Sequence, residues 1–216
     1  MNTTDKLRIW SKIYKYFEIV TLFIGLPLLF KLKLIPGHKS IPLLIVFLFC
    51  LGWLLLNKDF DRSKFGIRLF KGWKYLLIRS ASVLLFVLII TWLAIPESFF
   101  YLPRKAFGLW VAIMILYPLW SAYPQELIYR TFFFERYKNI FPSTWLMVAV
   151  NGFLFGFLHI IFNNWIAVLG ASIVGIVLAI TYLKNQSLLA VALEHAIIGD
   201  IVFTIGLGQF FYVPDF

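Results

Sequence analysis

Beyond the first turns of chain, the sequence reads as long apolar runs separated by short polar breaks. Runs such as Ser80–Pro96 and Ala106–Gln125 are continuous for 17 residues or more, the length at which a helix crosses the hydrocarbon core of a bilayer. They lack the alternation in ten-residue pieces that an outer-membrane barrel requires. The pattern predicts seven spans: Ile19–Phe30, Ser40–Leu56, Ser80–Pro96, Ala106–Tyr123, Pro142–Phe162, Trp165–Leu183 and Ser187–Leu207. Asn163-Asn164 and Lys184-Asn185 are the expected tight turns between the last three. Asn57–Arg79 breaks the pattern: Phe60, Phe65, Phe70, Trp73 and Tyr75 alternate there with Lys and Arg, as in a segment lying in the membrane interface. The expected fold is all-α, a multi-pass transmembrane helical bundle forming a single membrane domain over 1–216. Within it, 1–105 holds the N-terminal spans and the basic segment, and 106–208 the polar motifs described below.

Composition agrees. Hydrophobic residues are 62% and charged residues 14% of the 216, against roughly 45–50% and 25% in soluble domains. A soluble chain of this size could not bury so much apolar surface in one core, and 19% aromatic content excludes intrinsic disorder. The single cysteine, Cys50, lies inside an apolar run, so no intramolecular disulfide forms. A net charge of +10 invites a nucleic-acid reading, but the basic residues are scattered among the spans, and lipid headgroups are the expected counter-charge. With the N-terminus in the cytoplasm, 15 of the 20 Lys and Arg fall on the inner side. The positive-inside rule therefore predicts that orientation, in a plasma membrane. The N-terminal stretch resembles neither a signal nor a transit peptide. No internal repeat supports an inverted-repeat transporter. Ala167, Ala171, Gly175 and Ala179 make a small-residue face; intramolecular packing is its expected role, with a homo-dimer seam through Ala171 and Gly175 as the alternative.

Ionisable groups in a bilayer are costly, about 2.5–3.5 kcal/mol each for Asp, Lys or Arg at a helix centre, so those present are functional candidates. Three clusters stand out. In Gln125-Glu126-Leu127-Ile128-Tyr129-Arg130, Glu126 and Arg130 share a helix face and can pair, and Pro124 suits the first turn of a helix starting there. His159 lies in an apolar span, with Asn151 eight residues earlier on nearly the same face as its expected neighbour. The third cluster holds Glu194, His195 and Asp200. Adjacent residues on a helix differ by about 100°, so Glu194 and His195 cannot both face one centre, and one acid is expected to serve another partner. Together Glu126, His159 and His195 supply a carboxylate and two imidazoles. Either Glu126 is a general base with the histidines orienting water and stabilising an oxyanion, or the three hold a zinc ion with water in the fourth position. Zinc or no cofactor at all therefore both stand. No His-Glu-x-x-His signature occurs.

At these residues the sequence resembles the CPBP (CAAX protease and bacteriocin-processing, or Abi) family of intramembrane endopeptidases. The family motifs Glu-Glu-x-x-x-Arg, Phe-x-x-x-His and His-x-x-x-Asn/Asp read here as Gln125-Glu126-x-x-x-Arg130, Phe155-x-x-x-His159 and a third motif starting at His195. The resemblance runs from about Tyr117 to Gly208. It departs at Gln125, where the family has its first glutamate, and at Gly199, where it has Asn or Asp, with Asp200 one place later. It implies hydrolysis of a membrane-associated, prenylated or bacteriocin-like peptide within an intramembrane polar cavity. Glu126, His159 and His195 are the implied catalytic set, with Arg130 holding Glu126, Gln125 bonding substrate, and Glu194, Asp200 and Asn151 supporting. A non-catalytic adaptor or immunity protein of the same fold, and a proton-coupled transporter, are the competing readings. Linear counting puts Glu126 and His159 on the order of 20 Å apart in depth. The site therefore requires a helix that starts deeper than hydropathy suggests, or one broken at Pro118 or Pro124.

Overall fold

The computed structural model describes residues 3–38, 40–66 and 72–211. Lys39, and Arg68, Phe70 and Lys71 of the basic stretch, lie outside the described residues, as do both ends of the 1–216 domain. No strand occurs among the described residues. Among the described residues six helices are long and apolar enough to cross a membrane, and Ser40–Leu56 is a shorter seventh. We number them α1 (Asp5–Lys31), α2 (Ser40–Leu56), α3 (Trp73–Ala94), α4 (Phe107–Tyr137), α5 (Thr144–Phe162), α6 (Trp165–Asn185) and α7 (Leu188–Ile205).

Three helices outrun the hydropathy. α1 extends well before Ile19, carrying its polar N-terminal turns on the same rod as the apolar run. α3 begins at Trp73, seven residues ahead of Ser80, so the end of the basic segment is helical. The largest difference is α4, which passes Tyr123 without a break and ends at Tyr137. Neither Pro118 nor Pro124 stops it. A proline has no N–H to offer the carbonyl one turn back, and a wider π turn lets a later N–H take an earlier carbonyl. α4 has π geometry at Pro118–Ala122 and again at Leu127–Phe132, with the Tyr123 N–H bonding the Pro118 carbonyl. Pro124 thus lies inside a continuous helix rather than opening a new one. Glu126 is consequently eleven residues from the helix end, about 16 Å along the axis, which removes most of the mismatch with His159 that linear counting gave.

The last three helices have sharp boundaries. Ser143, Asn164 and Ser187 cap α5, α6 and α7, their side-chain oxygens accepting from the N–H groups of Leu146, Ala167 and Ala190, each satisfying a donor the helix start leaves open. Asn163 and Gln186 take the left-handed conformation (φ 57° and 49°) that reverses the chain. The second turn is therefore Gln186-Ser187, since α6 keeps Lys184 and Asn185 in its last turn.

α5 and α6 pack closely. A Cβ at Gly156 would strike Ser172 and the Val168 carbonyl, one at Gly152 would strike Ile176, and one at Gly175 would press on Phe155 and Gly152. Small residues let the two backbones approach, as expected between helices in lipid. Ala167, Ala171 and Ala179 are buried. This is the small-residue face noted in the sequence, and it packs against α5 within the chain. α1 contributes Phe23, whose ring meets Tyr129 and Phe133 edge-on at 5.1 and 5.3 Å. Every residue of α4 from Pro124 to Phe134 is buried, so about three turns of helix carrying Gln125, Glu126 and Arg130 are surrounded by protein rather than lipid.

Candidate active site

The enclosed stretch of α4 presents Glu126 and Arg130, both fully buried. Glu126 Oε2 lies 3.1 Å from Arg130 Nε. The pair is close without being a well-aligned hydrogen bond, since neither atom has a partner by angle. Arg130 Nη1 donates to Asn151 Oδ1 at 2.5 Å, and Asn151 Nδ2 donates to the Tyr129 carbonyl at 2.6 Å. Asn151 therefore serves Arg130 and not His159. The guanidinium also lies over the Phe155 ring, 4.8 Å from its centre, a favourable place for a cation removed from water.

Glu126 Oε1 faces His195 Nδ1 at 2.9 Å. A carboxylate accepts, so Nδ1 carries the proton and Nε2 keeps its lone pair. His159 Nδ1 lies 2.8 Å from the Phe155 carbonyl. That oxygen also only accepts, so His159 has the same tautomer with a basic Nε2. The two imidazoles come from different helices and meet at one ring: Phe155 is 5.2 Å from His159 and 5.4 Å from His195. Both histidines retain a thin exposed edge, 8% and 5%, where Glu126 has none. The site thus has two available ring nitrogens on its accessible side and a carboxylate–guanidinium pair behind them.

The remaining expected residues divide. Gln125 is buried beside Glu126, its Nε2 donating to Ser121 Oγ at 2.7 Å and its Oε1 left without a partner. Glu194 is turned away, as the 100° offset requires, and takes Arg79 of α3 in a two-pronged pair at 2.5 and 3.1 Å. Asp200 is half-buried with an unpartnered Oδ1. The sequence reading assigned no role to Arg79, placed with the interfacial segment, or to Tyr117, which lies inside the span Ala106–Tyr123. The signal for Arg79 was the second intramembrane acid needing a partner. Neither of two clefts at the surface, one of about 340 Å³ between Lys64, Glu135 and Gln186 and one beside Lys12 and Asn139, is lined by Glu126, His159 or His195.

The donor set does not fit a zinc ion held by Glu126, His159 and His195. Glu126 and His195 are turned to each other, the second carboxylate oxygen faces Arg130, and no three His, Cys, Asp or Glu side chains among the described residues are grouped to hold a metal. What remains is a carboxylate–imidazole dyad with a second imidazole beside it, an arrangement suited to moving a proton to and from a bound polar group.

Residues 103–199 match the family described as Type II CAAX prenyl endopeptidase Rce1-like. That stretch includes Glu126, Arg130, Asn151, His159 and His195, and leaves Arg79 and Asp200 outside. No curated protein and no solved structure matches the chain. The match identifies residues 103–199 as an Rce1-like domain of the CPBP/CAAX protease type, carried in a multi-pass arrangement of helices long and apolar enough to cross a bilayer.

Proposed function

We propose that the protein hydrolyses a peptide bond in a membrane-associated peptide of the prenylated or bacteriocin-like kind, using the Glu126–His195 dyad. The observation that carries this is the 2.9 Å contact of Glu126 Oε1 with His195 Nδ1, backed by Arg130 on the other carboxylate oxygen. Glu126 holds His195 in the tautomer that exposes Nε2 and stabilises the imidazolium once it forms, so the carboxylate acts through the ring and does not itself meet water. His195 Nε2 takes a proton from water as the oxygen attacks the carbonyl carbon, then returns it to the leaving nitrogen as the carbon–nitrogen bond breaks. His159 Nε2 accepts a hydrogen bond from the same water and fixes its direction. Gln125 does not replace a base, because an amide accepts no proton at neutral pH; it offers hydrogen bonds to the peptide backbone. The protein works in the plasma membrane with its N-terminus in the cytoplasm.

A farnesylated peptide ending in Cys-aliphatic-aliphatic-X tests the reading with the full chain in nanodiscs. Glu126→Ala, His159→Ala and His195→Ala are each expected to abolish its cleavage. Unchanged turnover in all three ends the proposal.

A second reading has its own observation. Gln125 and Gly199 stand where the family motifs carry acid or amide groups, which favours an adaptor that binds a peptide without cutting it. That reading expects Glu126→Ala to leave peptide binding intact and wild-type protein to release no product.

A further inference from the structure

Gly199 lies in the interior of α7, where glycine lowers helix stability by about 1 kcal/mol relative to alanine. Its backbone φ is ordinary, so no turn requires it. The reason is steric: a Cβ there would collide with Cε1, Cζ and the hydroxyl oxygen of Tyr117. The phenol end of Tyr117, on α4 just before its first π stretch, rests on the bare backbone of α7. Gly199 is four residues after His195, on the same helix face. From that seat the Tyr117 ring stands edge-on to His195, centroids 5.8 Å apart at 84°, and to Phe203 at 5.5 Å. Its hydroxyl has no hydrogen-bond partner among the described residues, so a donor with no structural duty stands one helical turn from the dyad.

We propose that Tyr117 is a further catalytic residue: its phenol donates a hydrogen bond to the carbonyl oxygen of the bond being cut. The inference rests on the peptidase reading above and adds the oxyanion donor which that reading lacks. As water's oxygen bonds to the carbonyl carbon and His195 takes its proton, the carbonyl electron pair moves to oxygen and the Tyr117 O–H bonds to it. When the carbon–nitrogen bond breaks, that pair returns to the carbonyl and His195 protonates the amine. Tyr117 keeps its proton throughout, and Gly199 is the gap in α7 that admits it.

Tyr117→Phe retains the ring and removes only the donor. With the farnesylated peptide and full-length protein in nanodiscs, it is expected to lower kcat by about 10²-fold, as loss of one oxyanion donor does elsewhere, with KM and thermal midpoint unchanged. Gly199→Ala, which pushes the phenol aside, is expected to lower kcat as well. Tyr117→Phe at wild-type kcat overturns the proposal. A second measurement does not depend on turnover. With 3-fluorotyrosine at position 117, the fluorine resonance is expected to shift when the peptide is added; a resonance that does not move overturns the assignment of Tyr117 even where the peptide is cleaved. A shifted resonance in the labelled protein together with no product from wild-type protein counts against the peptidase reading and leaves Tyr117 as a substrate contact.

Discussion

Two buried carboxylates, Glu126 on α4 and Glu194 on α7, each pair with an arginine, and they are built for different ends. Glu194 meets Arg79 with both oxygens, one to Nε and one to Nη2. One guanidinium satisfies the whole carboxylate, and Arg79 keeps 28% of its side chain exposed. The pair is a latch between α3 and α7. Glu126 gives Arg130 only one oxygen, and Arg130, wholly buried, turns another nitrogen to Asn151. The other oxygen of Glu126 goes to an imidazole. A salt bridge closed on itself fixes two helices; one left open on a titratable ring is the basis of the proposed site. Adjacent in sequence, Glu194 and His195 divide these tasks because neighbouring side chains on a helix point about 100° apart.

The comparison can be broken most sharply at the open pair. Glu126→Gln keeps the shape and removes the charge that sets the His195 tautomer; cleavage of the farnesylated peptide is expected to fall about 10⁴-fold, the loss seen when a carboxylate behind a catalytic histidine becomes an amide. Kinetics across pH with that variant would show whether any residual activity runs through His195. Arg130→Leu leaves Glu126 and Asn151 without their buried partner and is expected to cost about 3–5 kcal/mol, read as a lowered unfolding midpoint in detergent. Glu194→Gln opens the latch with Arg79 still able to reach water, so a smaller loss of about 1–3 kcal/mol is expected, with kcat of the same order as wild type. If Glu194→Gln instead removed activity while stability held, the division of labour between the two acids would be wrong. The least effect is expected at Lys138, which pairs with Glu135 at 2.5 Å but is 56% exposed. Lys138→Ala should change stability by less than about 1 kcal/mol, and raised salt should erase even that.

Much of the fold was legible because lipid imposes a simple rule: every span must be a helix, apolar and long. The helix starts at Ser143, Asn164 and Ser187 carry local caps that hydropathy nearly located. α4 was misread for an equally physical reason. Its last fourteen residues, Pro124 to Tyr137, include Gln125, Glu126, Arg130 and Glu135, which look like a loop to a hydropathy window. They are helical because α1, α2, α5 and α7 shield them from lipid, and no local average contains that information. The two π stretches that carry the helix past its prolines are likewise invisible in composition.

The sequence by itself determined that the chain lies in a membrane, that it is helical, and that Glu126, Arg130, His159 and His195 are rare enough there to require a use. It also determined, through helical phase alone, that Glu194 and His195 face apart. Only the tertiary structure decided the partners: Asn151 to Arg130, Glu194 to Arg79, His195 to Glu126, and Tyr117 onto the bare backbone of Gly199. The physical reason is range. Partition into lipid and helical phase are fixed by residues within a few turns of one another. A hydrogen bond between positions 69 apart depends on how α4, α5 and α7 cross, and that is set by glycine contacts and ring packing spread over the whole bundle.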